Sequence, residues 1–497
     1  MIGLRRDWLE RSLGPRAPWQ GRLLIAGLAA LVALPAGALI GGIGWLYGSA
    51  ALLALALAYL MLRSVFIGLI ALIALICLLP FAAVPIDIGF SPTFLDLILG
   101  GLFFVWMSRI ATHKEKEFLA DPPTLGVITF VLLAIVSFLA GLGHAPLTAN
   151  VVRHFAEILL SVLLFVLVLN AVRTEKQLQT LVLCLILAGA LAALIGVVLY
   201  FVPRHLTIRL LSLLRVVRYP SGSDVLRYIE DNPELPLRAT STSIDPNVLG
   251  GLLVFVSTLT AVQLVAQRPI LPRVWLAPLL AVMLLCLILT FSRSSFGGLM
   301  VAILILGILR YRRLLWIGLL IVALLLLTPP AQIYVQHLIE GLRNQDLATQ
   351  MRWGEYKDAL LLISRHPWLG VGFAGTPEID TYLGVSSVYL LIAEEMGALG
   401  LGIFLTTLFH FVYRAFTAYL RCPRDSTLEP LLLGTCLAVV GAMSAGLLDH
   451  YLFNLDFPHA SSLLWLMIGL GTVSIRLARD QSASSSSEGQ PNLRPQS

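Results

Sequence analysis

The 497-residue chain is 58% hydrophobic and only 12% charged, and its mean hydropathy is +0.89. An ordinary soluble domain carries about 25% charged residues, so this composition excludes a soluble class and predicts an integral membrane protein. The net charge of +6 is compatible with a nucleic-acid partner, but the basic residues cluster in short connections between apolar runs. Such clusters mark cytoplasmic loops, and we therefore exclude nucleic acid as a partner.

Long apolar runs recur from residue 23 to residue 476. Each is long enough to cross a hydrocarbon core of about 30 Å as an α-helix, so the predicted fold is an all-α polytopic transmembrane bundle. Fourteen spans put every basic cluster on one side, which places both termini in the cytoplasm; twelve spans are the alternative. The predicted spans are 23–44, 48–62, 64–84, 94–109, 123–143, 155–171, 179–202, 247–267, 275–291, 296–310, 314–328, 387–409, 429–449 and 460–476.

Neither end of the chain is predicted to add a soluble domain. Residues 1–22 form a cytoplasmic segment before a retained first span, because no clean small-residue cleavage site follows them. Residues 477–497 have little apolar surface to bury and are predicted to be disordered. The 5 cysteines show neither metal-site nor disulfide spacing, so the sequence predicts reduced or buried thiols, no metal and no cofactor.

Two predicted outward loops, residues 203–246 and 329–386, are much longer than the others. In the first, Ile208, Leu211 and Leu214 recur at helical spacing beside arginines, a pattern typical of a helix in the membrane interface. The second contains AQIYVQHLIEGLR and then a segment that begins MRWGEYKDA, and both are compatible with helices. We expect the two loops to cover the outer face of the bundle.

Chemistry-bearing residues concentrate at this outer rim, whereas most spans lack the ionisable groups that transporters need. Phosphate-binding loops, zinc spacings and nucleophile elbows do not occur in the sequence. Three outward arginines, Arg238, Arg293 and Arg352, could bind a lipid diphosphate through planar, bidentate hydrogen bonds and stabilise it as a leaving group without a metal. An arginine at a helix end is also an ordinary interfacial anchor, and that alternative stays open.

Other features of the rim have structural alternatives as well. Asp-Pro-Asn at residues 245–247 is a helix start in its own right. The spacing of Gly397, Gly400 and Gly402 is typical of a close helix-packing face. Glu395 lies inside an apolar run, so we expect a buried, hydrogen-bonded scaffold residue, with a catalytic role as the alternative.

Four segments of the chain carry a family resemblance. They read R-x-x-x-[ST]-x-x-x-P-N from Arg238, F-S-R around Arg293, R-W-x-x-Y-x-x-A from Arg352 with H-P-W-L-G-V-G after it, and Y-L-x-x-x-x-E-x-G-x-x-G from Tyr389. Over residues 150–475 this order resembles the O-antigen ligase and polymerase superfamily of bacterial membrane glycosyltransferases. The resemblance implies transfer of a glycan from an undecaprenyl-diphosphate carrier to an acceptor hydroxyl at the outer face of the cytoplasmic membrane. It also implies that Arg238 and Arg352 hold the diphosphate, without metal or nucleotide sugar.

One position departs from the family pattern. Where the family usually reads His-Asn-x-Tyr-Leu, this chain reads Ser-Ser-Val-Tyr-Leu from Ser386. The resemblance implies a general base or orienting group there, and a serine hydroxyl can orient an acceptor but is a poor base near neutral pH. The candidates for the base are His366, Glu355 and His450, the last with Asp449 as a carboxylate that orients the imidazole.

The resemblance implies this histidine in lipid A-core ligases, so its replacement favours a surface-polysaccharide polymerase in the bacterial inner membrane. A ligase that attaches finished glycan to a lipid or protein is one alternative. A flippase or exporter of lipid-linked sugars, without bond chemistry, is another. The expected partners are the lipid-linked donor, a glycan or lipid acceptor, the membrane and proteins of polysaccharide assembly.

Overall fold

The computed structural model describes residues 58–85, 89–113, 118–144, 147–310, 347–375 and 384–488, together with the single residues 56 and 316. The chain forms two compact units, Met1–Ser64 and Val65–Ser497. All elements and contacts described below belong to the second unit. The predicted cytoplasmic segment 1–22 lies outside the described residues.

The second unit is built almost entirely from α-helices, which confirms the predicted all-α membrane fold. A short antiparallel hairpin, β1 (Arg227–Tyr228) and β2 (Leu237–Arg238), pairs Arg227 with Arg238. The helices are α1 (Val65–Leu78), α2 (Phe94–Ala111), α3 (Pro122–Gly141), α4 (Ala149–Ala171), α5 (Glu175–Phe201), α6 (Arg204–Ser212), α7 (Pro246–Val265), α8 (Arg273–Leu289), α9 (Arg293–Arg310), α10 (Leu347–Arg365), α11 (Val388–Arg421), α12 (Glu429–Ala445) and α13 (Pro458–Glu488).

Eight of the described helices are long and apolar enough to cross a membrane, and three shorter ones, α1, α8 and α12, are also apolar. These eleven helices coincide with eleven of the fourteen predicted spans. The predicted spans 23–44, 48–62 and 314–328 lie wholly or mostly outside the described residues. The choice between fourteen and twelve spans therefore stays a prediction.

The core of the unit lies where the central helices meet. Helices α7 and α13 are buried over most of their length, whereas only about a third of the residues of α2 and of α9 are buried. Phe130, Phe404 and Trp465, from three different helices, are fully buried and hold their ring centroids 5.7–6.3 Å apart. The outer helices show apolar side chains such as Phe104 and Leu125 on their exposed faces, as expected of surfaces solvated by lipid.

Both predicted outward loops contain helices that the sequence pattern indicated. Helix α6 begins the first loop with the predicted amphipathic segment. In the second loop, α10 carries Arg352, and its polar composition keeps it out of the set of candidate spans. The other predicted helical segment of that loop, at residues 331–343, lies outside the described residues.

A break inside α11 differs from the sequence expectation. Gly397 has φ +68°, and a Cβ there would lie 2.2 Å from the backbone carbon of Trp368. The carbonyls of Glu394 and Glu395 instead accept the N–H groups of Val371 and Gly372, at 2.9 and 3.0 Å. Since backbone polar groups inside a membrane must be satisfied by the protein, the H-P-W-L-G-V-G segment replaces the missing helical bonds. The glycine series marks a helix break and not a helix-packing face.

The end of the chain also differs from its prediction. Residues 477–488, predicted to be disordered, continue α13 as helix, while residues 489–497 lie outside the described part. The Gln481 side chain donates to Glu175 Oε2 at 3.1 Å, and the Ser482 hydroxyl donates to the Ala478 carbonyl at 2.9 Å. The unfavourable step in helix formation is nucleation of the first turn. Because α13 is already formed, the polar, Ser-rich residues that follow can extend it as helix.

Predicted cytoplasmic charges meet at one end of the bundle. Arg310 at the end of α9 pairs with Glu429 at the start of α12, and both side chains are at most 4% exposed. Arg414 of α11 approaches Asp121 before α3 at 3.6 Å. Thr427 donates a hydrogen bond to Glu175 at the start of α5. We call this the basic end. Helices α7, α9, α11 and α13 begin at the opposite end.

Candidate active site

The opposite end of the bundle is organised by the connection between α12 and α13. Helix α12 ends at Ala445, four residues before the predicted end of its span, so Asp449 lies in this connection. Asp449 is only 4% exposed. Its Oδ2 accepts the Ser294 hydroxyl at 3.1 Å, and its backbone carbonyl accepts the Val388 N–H at 2.9 Å. Asp449 therefore ties the first turn of α9 to the first turn of α11.

Burial raises the pKa of Asp449, because desolvation disfavours the carboxylate. His450 and Arg352 act in the opposite direction, and Asp245 raises the pKa further by like-charge repulsion. These effects require the charged groups to lie near one another. The motif segments that contain Arg352, Asp245 and Ser294 are distant in sequence and thus converge around this carboxylate.

Arg238, the first residue of the motif that contains Asp245, lies at the same end of the bundle. From β2, its Nε donates to the Thr290 carbonyl at 2.8 Å and its Nη2 donates to Asn247 Oδ1 at 2.7 Å. Asp245 caps α7 by accepting the N–H groups of Asn247 and Val248 at 2.7 and 3.1 Å. The predicted Asp-Pro-Asn helix start is therefore correct, and its asparagine also orients the arginine.

The F-S-R motif forms the turn into α9. Phe291 has φ +51°, which reverses the chain after α8 and makes Arg293 the first residue of α9. The Ser292 hydroxyl lies 3.2 Å from that of Ser294 and 3.0 Å from that of Ser295, and all three serines are buried. This hydroxyl chain ends on Asp449.

Helix α10 brings a second carboxylate and hydroxyl together. Glu355 Oε2 accepts the Ser386 hydroxyl at 2.6 Å and the Ser386 N–H at 3.0 Å. The Tyr356 hydroxyl donates to the Ser386 carbonyl at 3.1 Å. Burial raises the pKa of Tyr356, which keeps the phenol protonated as a donor. We call Arg352, Glu355, Ser386, Ser294 and Asp449 the rim cluster.

The packing of α10 on the start of α11 supports this arrangement. Ala359, Val385 and Leu391 are each at most 2% exposed and form an apolar cluster, with Tyr356 and Leu390 packed against it. The position of Ser386 relative to Glu355 is therefore set by apolar packing as well as by hydrogen bonds.

The two histidine candidates occupy different places. His366 follows the last turn of α10, and its ring centroid lies 5.6 Å from that of His144. Fourteen residues separate it from Arg352, or about 20 Å along a helix axis, so the structure does not bring His366 to the rim cluster. His450 lies beside Asp449, but its Nδ1 is 3.9 Å from Asp449 Oδ1, beyond hydrogen-bond range. The Asp449 oxygen accepts the His450 backbone N–H instead, at 3.0 Å.

The predicted scaffold residue lies beneath the site. Glu395 is 4% exposed and Glu394 is fully buried. Their carbonyls hold the H-P-W-L-G-V-G segment, and Glu394 Oε1 accepts the Gly384 N–H at 3.2 Å. Both residues thus support the connection that leads to Ser386.

Ser294 and Tyr356 were not predicted from the sequence as site residues. Both carry a weak signal, because Ser294 follows the motif arginine directly and Tyr356 is the tyrosine of R-W-x-x-Y. Among the described residues, no group of three or more His, Cys, Asp or Glu side chains lies close enough to hold a metal ion.

Residues 278–405 match the family model described as O-antigen ligase, roughly a quarter of the chain. The chain carries an O-antigen ligase domain. The match confirms the resemblance to the O-antigen ligase and polymerase superfamily. The match supports a membrane glycosyltransferase of the ligase or polymerase type. The O-antigen ligase domain runs from α8 into α11 and includes Arg293, Arg352, Glu355 and Ser386.

No curated protein matches the chain at a significant level. A chain in the solved structure "Structural coordination of polymerization and crosslinking by a peptidoglycan synthase complex" is 18% identical. The alignment covers 72% of this chain and 97% of that one, with a TM-score of 0.37.

Proposed function

We propose that the protein is a surface-polysaccharide polymerase. It transfers a growing glycan from an undecaprenyl-diphosphate carrier to a sugar hydroxyl of the next lipid-linked repeat. The observation that carries the proposal is the rim cluster, where Arg352 lies near two carboxylate–hydroxyl pairs. Such a site offers one group for the leaving diphosphate and others for the incoming hydroxyl.

The arginines bind and stabilise the departing diphosphate. A guanidinium presents its donors in a planar fork that matches two phosphate oxygens. Arg352 on α10, Arg238 on β2 and Arg293 at the start of α9 come from three elements that meet at this end. The N-termini of α9 and α11 add partial positive charge. Charge that develops on the leaving oxygen is thereby stabilised without a metal.

The charge pattern supports a site at the outer face of the cytoplasmic membrane. Arg310, Arg414 and the other arginines of the basic end belong in the cytoplasm under the positive-inside rule. The rim cluster then faces the periplasmic side, where lipid-linked repeats are joined. The sequence prediction that both termini lie in the cytoplasm is part of this proposal.

A ligase that attaches finished glycan to a lipid or protein is the second candidate, because the matching family model is described as O-antigen ligase. Ser386 in place of the histidine implied for ligases favours the polymerase. Both activities would use the same leaving diphosphate, and they differ in the acceptor.

The test compares lipid-linked glycans extracted from cells that lack the protein with those from cells that express it. We expect single repeats to accumulate on the outer leaflet when the protein is missing. Full-length chains in the deletion strain would overturn the polymerase proposal. Unattached long chains on the outer leaflet would then indicate the ligase, and repeats trapped on the cytoplasmic leaflet would indicate an exporter.

A further inference from the structure

We infer that Glu355 is the general base that takes the proton of the acceptor hydroxyl, and that Ser386 is a positioning residue for its carboxylate. The inference rests on the proposed glycosyl transfer and names the group that activates its acceptor. It follows from one contact, in which a single carboxylate oxygen accepts two hydrogen bonds from one serine.

The double contact fixes the orientation of the carboxylate. The N–H and the hydroxyl of Ser386 both donate to Glu355 Oε2, at 3.0 and 2.6 Å. With Oε2 held, Oε1 points in a defined direction and can accept a proton from a further hydroxyl. Tyr356 donates to the Ser386 carbonyl from the next position of α10. The serine backbone is therefore held from the same helix that supplies the base.

Glu355 also lies in the right place relative to the diphosphate. Arg352 and Glu355 are three residues apart on α10, and side chains at this spacing are neighbours on one helix face, with Cβ atoms about 5–6 Å apart. A hydroxyl bound at Glu355 lies next to a diphosphate bound at Arg352. The acceptor oxygen and the bond that breaks are thus brought together by one helical turn.

Asp449, Glu394, Glu395 and His366 are less suited to the role. Asp449 is 4% exposed and its carboxylate accepts the Ser294 hydroxyl and the His450 N–H. Glu394 and Glu395 are buried beneath the helix break. His366 lies at the far end of α10. Glu355 is only half-buried, so an acceptor can reach it.

The acceptor hydroxyl transfers its proton to the Glu355 carboxylate while its oxygen forms a bond to the anomeric carbon of the donor glycan. The bond from that carbon to the diphosphate oxygen breaks, and its electron pair stays on the diphosphate, which the arginines stabilise. Glu355 then releases the proton to water, and the lipid diphosphate leaves.

The experiment uses the purified full-length chain and lipid-linked single repeats extracted from the deletion strain, which serve as both donor and acceptor. Glu355→Gln keeps the size of the side chain but removes the base. We expect its turnover to fall at least about 100-fold, as for the loss of a general base. Its affinity for undecaprenyl diphosphate in detergent micelles is expected to equal that of the wild type. Asp358→Asn, the same chemical change one turn along α10, is the matched control and is expected to retain full turnover.

Ser386 provides a second test that does not depend on the glutamine variant. Ser386→Ala removes one of the two bonds that hold the carboxylate, so we expect turnover to fall about tenfold with KM unchanged, the effect of roughly one charge-assisted hydrogen bond. Ser386→Thr keeps the hydroxyl and is expected to recover most of the turnover. A merely structural role would lower the amount of folded protein and leave turnover per folded molecule intact.

The outcomes separate this inference from the proposed function. If Glu355→Gln turns over within about threefold of the wild type while Arg352→Ala does not, Glu355 is not the base and the polymerase assignment stands. Equal turnover of Ser386→Ala, Ser386→Thr and the wild type would overturn the role of Ser386. A folded wild-type protein that joins no repeats would contradict the proposed function itself.

Discussion

The two ends of the bundle differ in what their carboxylates contact. At the basic end carboxylates pair with arginines, whereas at the rim carboxylates accept hydrogen bonds from neutral hydroxyls. Arg310 and Glu429 form an ion pair with both side chains at most 4% exposed. At the rim, Asp449 accepts the Ser294 hydroxyl and Glu355 accepts the Ser386 hydroxyl. The positive charge of Arg352 lowers the pKa of Asp449 and partly offsets the effect of burial.

The difference explains why similar residues have different roles. An ion pair neutralises both partners and fastens two helix ends together, so it stabilises the fold. A hydroxyl orients a carboxylate without neutralising it, so the negative charge and its remaining lone pairs stay available to a substrate. We therefore expect substitutions at the basic end to change mainly stability, and substitutions at the rim to change mainly turnover.

The largest effect on stability is expected from Arg310→Ala. The substitution leaves Glu429 buried without its partner, which costs about 3–5 kcal/mol when one side of a buried ion pair is removed. Denaturant unfolding of the purified protein in detergent measures this loss.

Arg310→Met combined with Glu429→Leu is the control for that prediction, because it removes both charges and keeps apolar volume. We expect it to recover most of the lost stability and to polymerise at the wild-type rate. A strong loss of turnover in this folded double variant would contradict the proposal that the basic end determines stability and the rim determines turnover.

Arg352→Ala is expected to lower the rate of chain growth about 100- to 1,000-fold, as when one donor to a developing oxyanion is removed. Arg352→Lys is expected to recover only part of the rate, because an ammonium group has no planar fork. Gel analysis of lipid-linked glycans from complemented cells measures the effect.

The matched control is Lys357→Ala, an exposed cation on the same helix. It is expected to leave chain length unchanged. Equal losses in both variants would mean that the net charge of α10 matters and not the specific position of Arg352.

Gly397→Ala tests whether the break in α11 supports the rim. Its positive φ and the 2.2 Å approach of the Trp368 backbone leave no room for a Cβ, and such strain costs about 1–3 kcal/mol. We expect a lower unfolding free energy together with reduced turnover, since the H-P-W-L-G-V-G segment follows α10. Gly402→Ala in the same helix, where a Cβ meets no atom within 4 Å, should change neither quantity.

Asp449→Asn is expected to produce the smallest change in stability, and its sign depends on pH. Because burial raises the pKa of Asp449 in the folded protein, its stabilising contribution is full below the ordinary aspartate pKa of about 3.9. That contribution is lost as the pH rises through the raised value. The stability of the asparagine variant relative to the wild type should therefore increase from pH 4 to pH 7. Thermal unfolding at several pH values measures this trend, and a decrease would contradict it.

Much of the bundle follows from local sequence. Hydropathy and run length predict the eleven apolar helices because each span must bury its own backbone polar groups. The amphipathic pattern predicts α6, and the polar insert predicts that α10 is not a span. These properties depend on neighbouring residues and require no knowledge of tertiary contacts.

The site depends on contacts that local patterns do not contain. Glu355 and Ser386 are 31 residues apart, and Ser294 and Asp449 are 155 residues apart. From the sequence, Glu355, His366 and His450 were equal candidates for the general base, because sequence spacing does not show which side chain contacts Ser386. The helix break at Gly397 could not be predicted either. A series of glycines has the same spacing whether it forms a helix-packing face or contains a break in the helix.

The most direct test of the account is polymerisation by the purified protein alone. Labelled lipid-linked single repeats from the deletion strain are incubated with the wild-type chain in detergent or lipid nanodiscs, in the presence of EDTA. The account predicts a ladder of lipid-linked chains with the release of undecaprenyl diphosphate, and no ladder with Arg352→Ala. A folded wild-type protein that leaves the single repeats unchanged would contradict it.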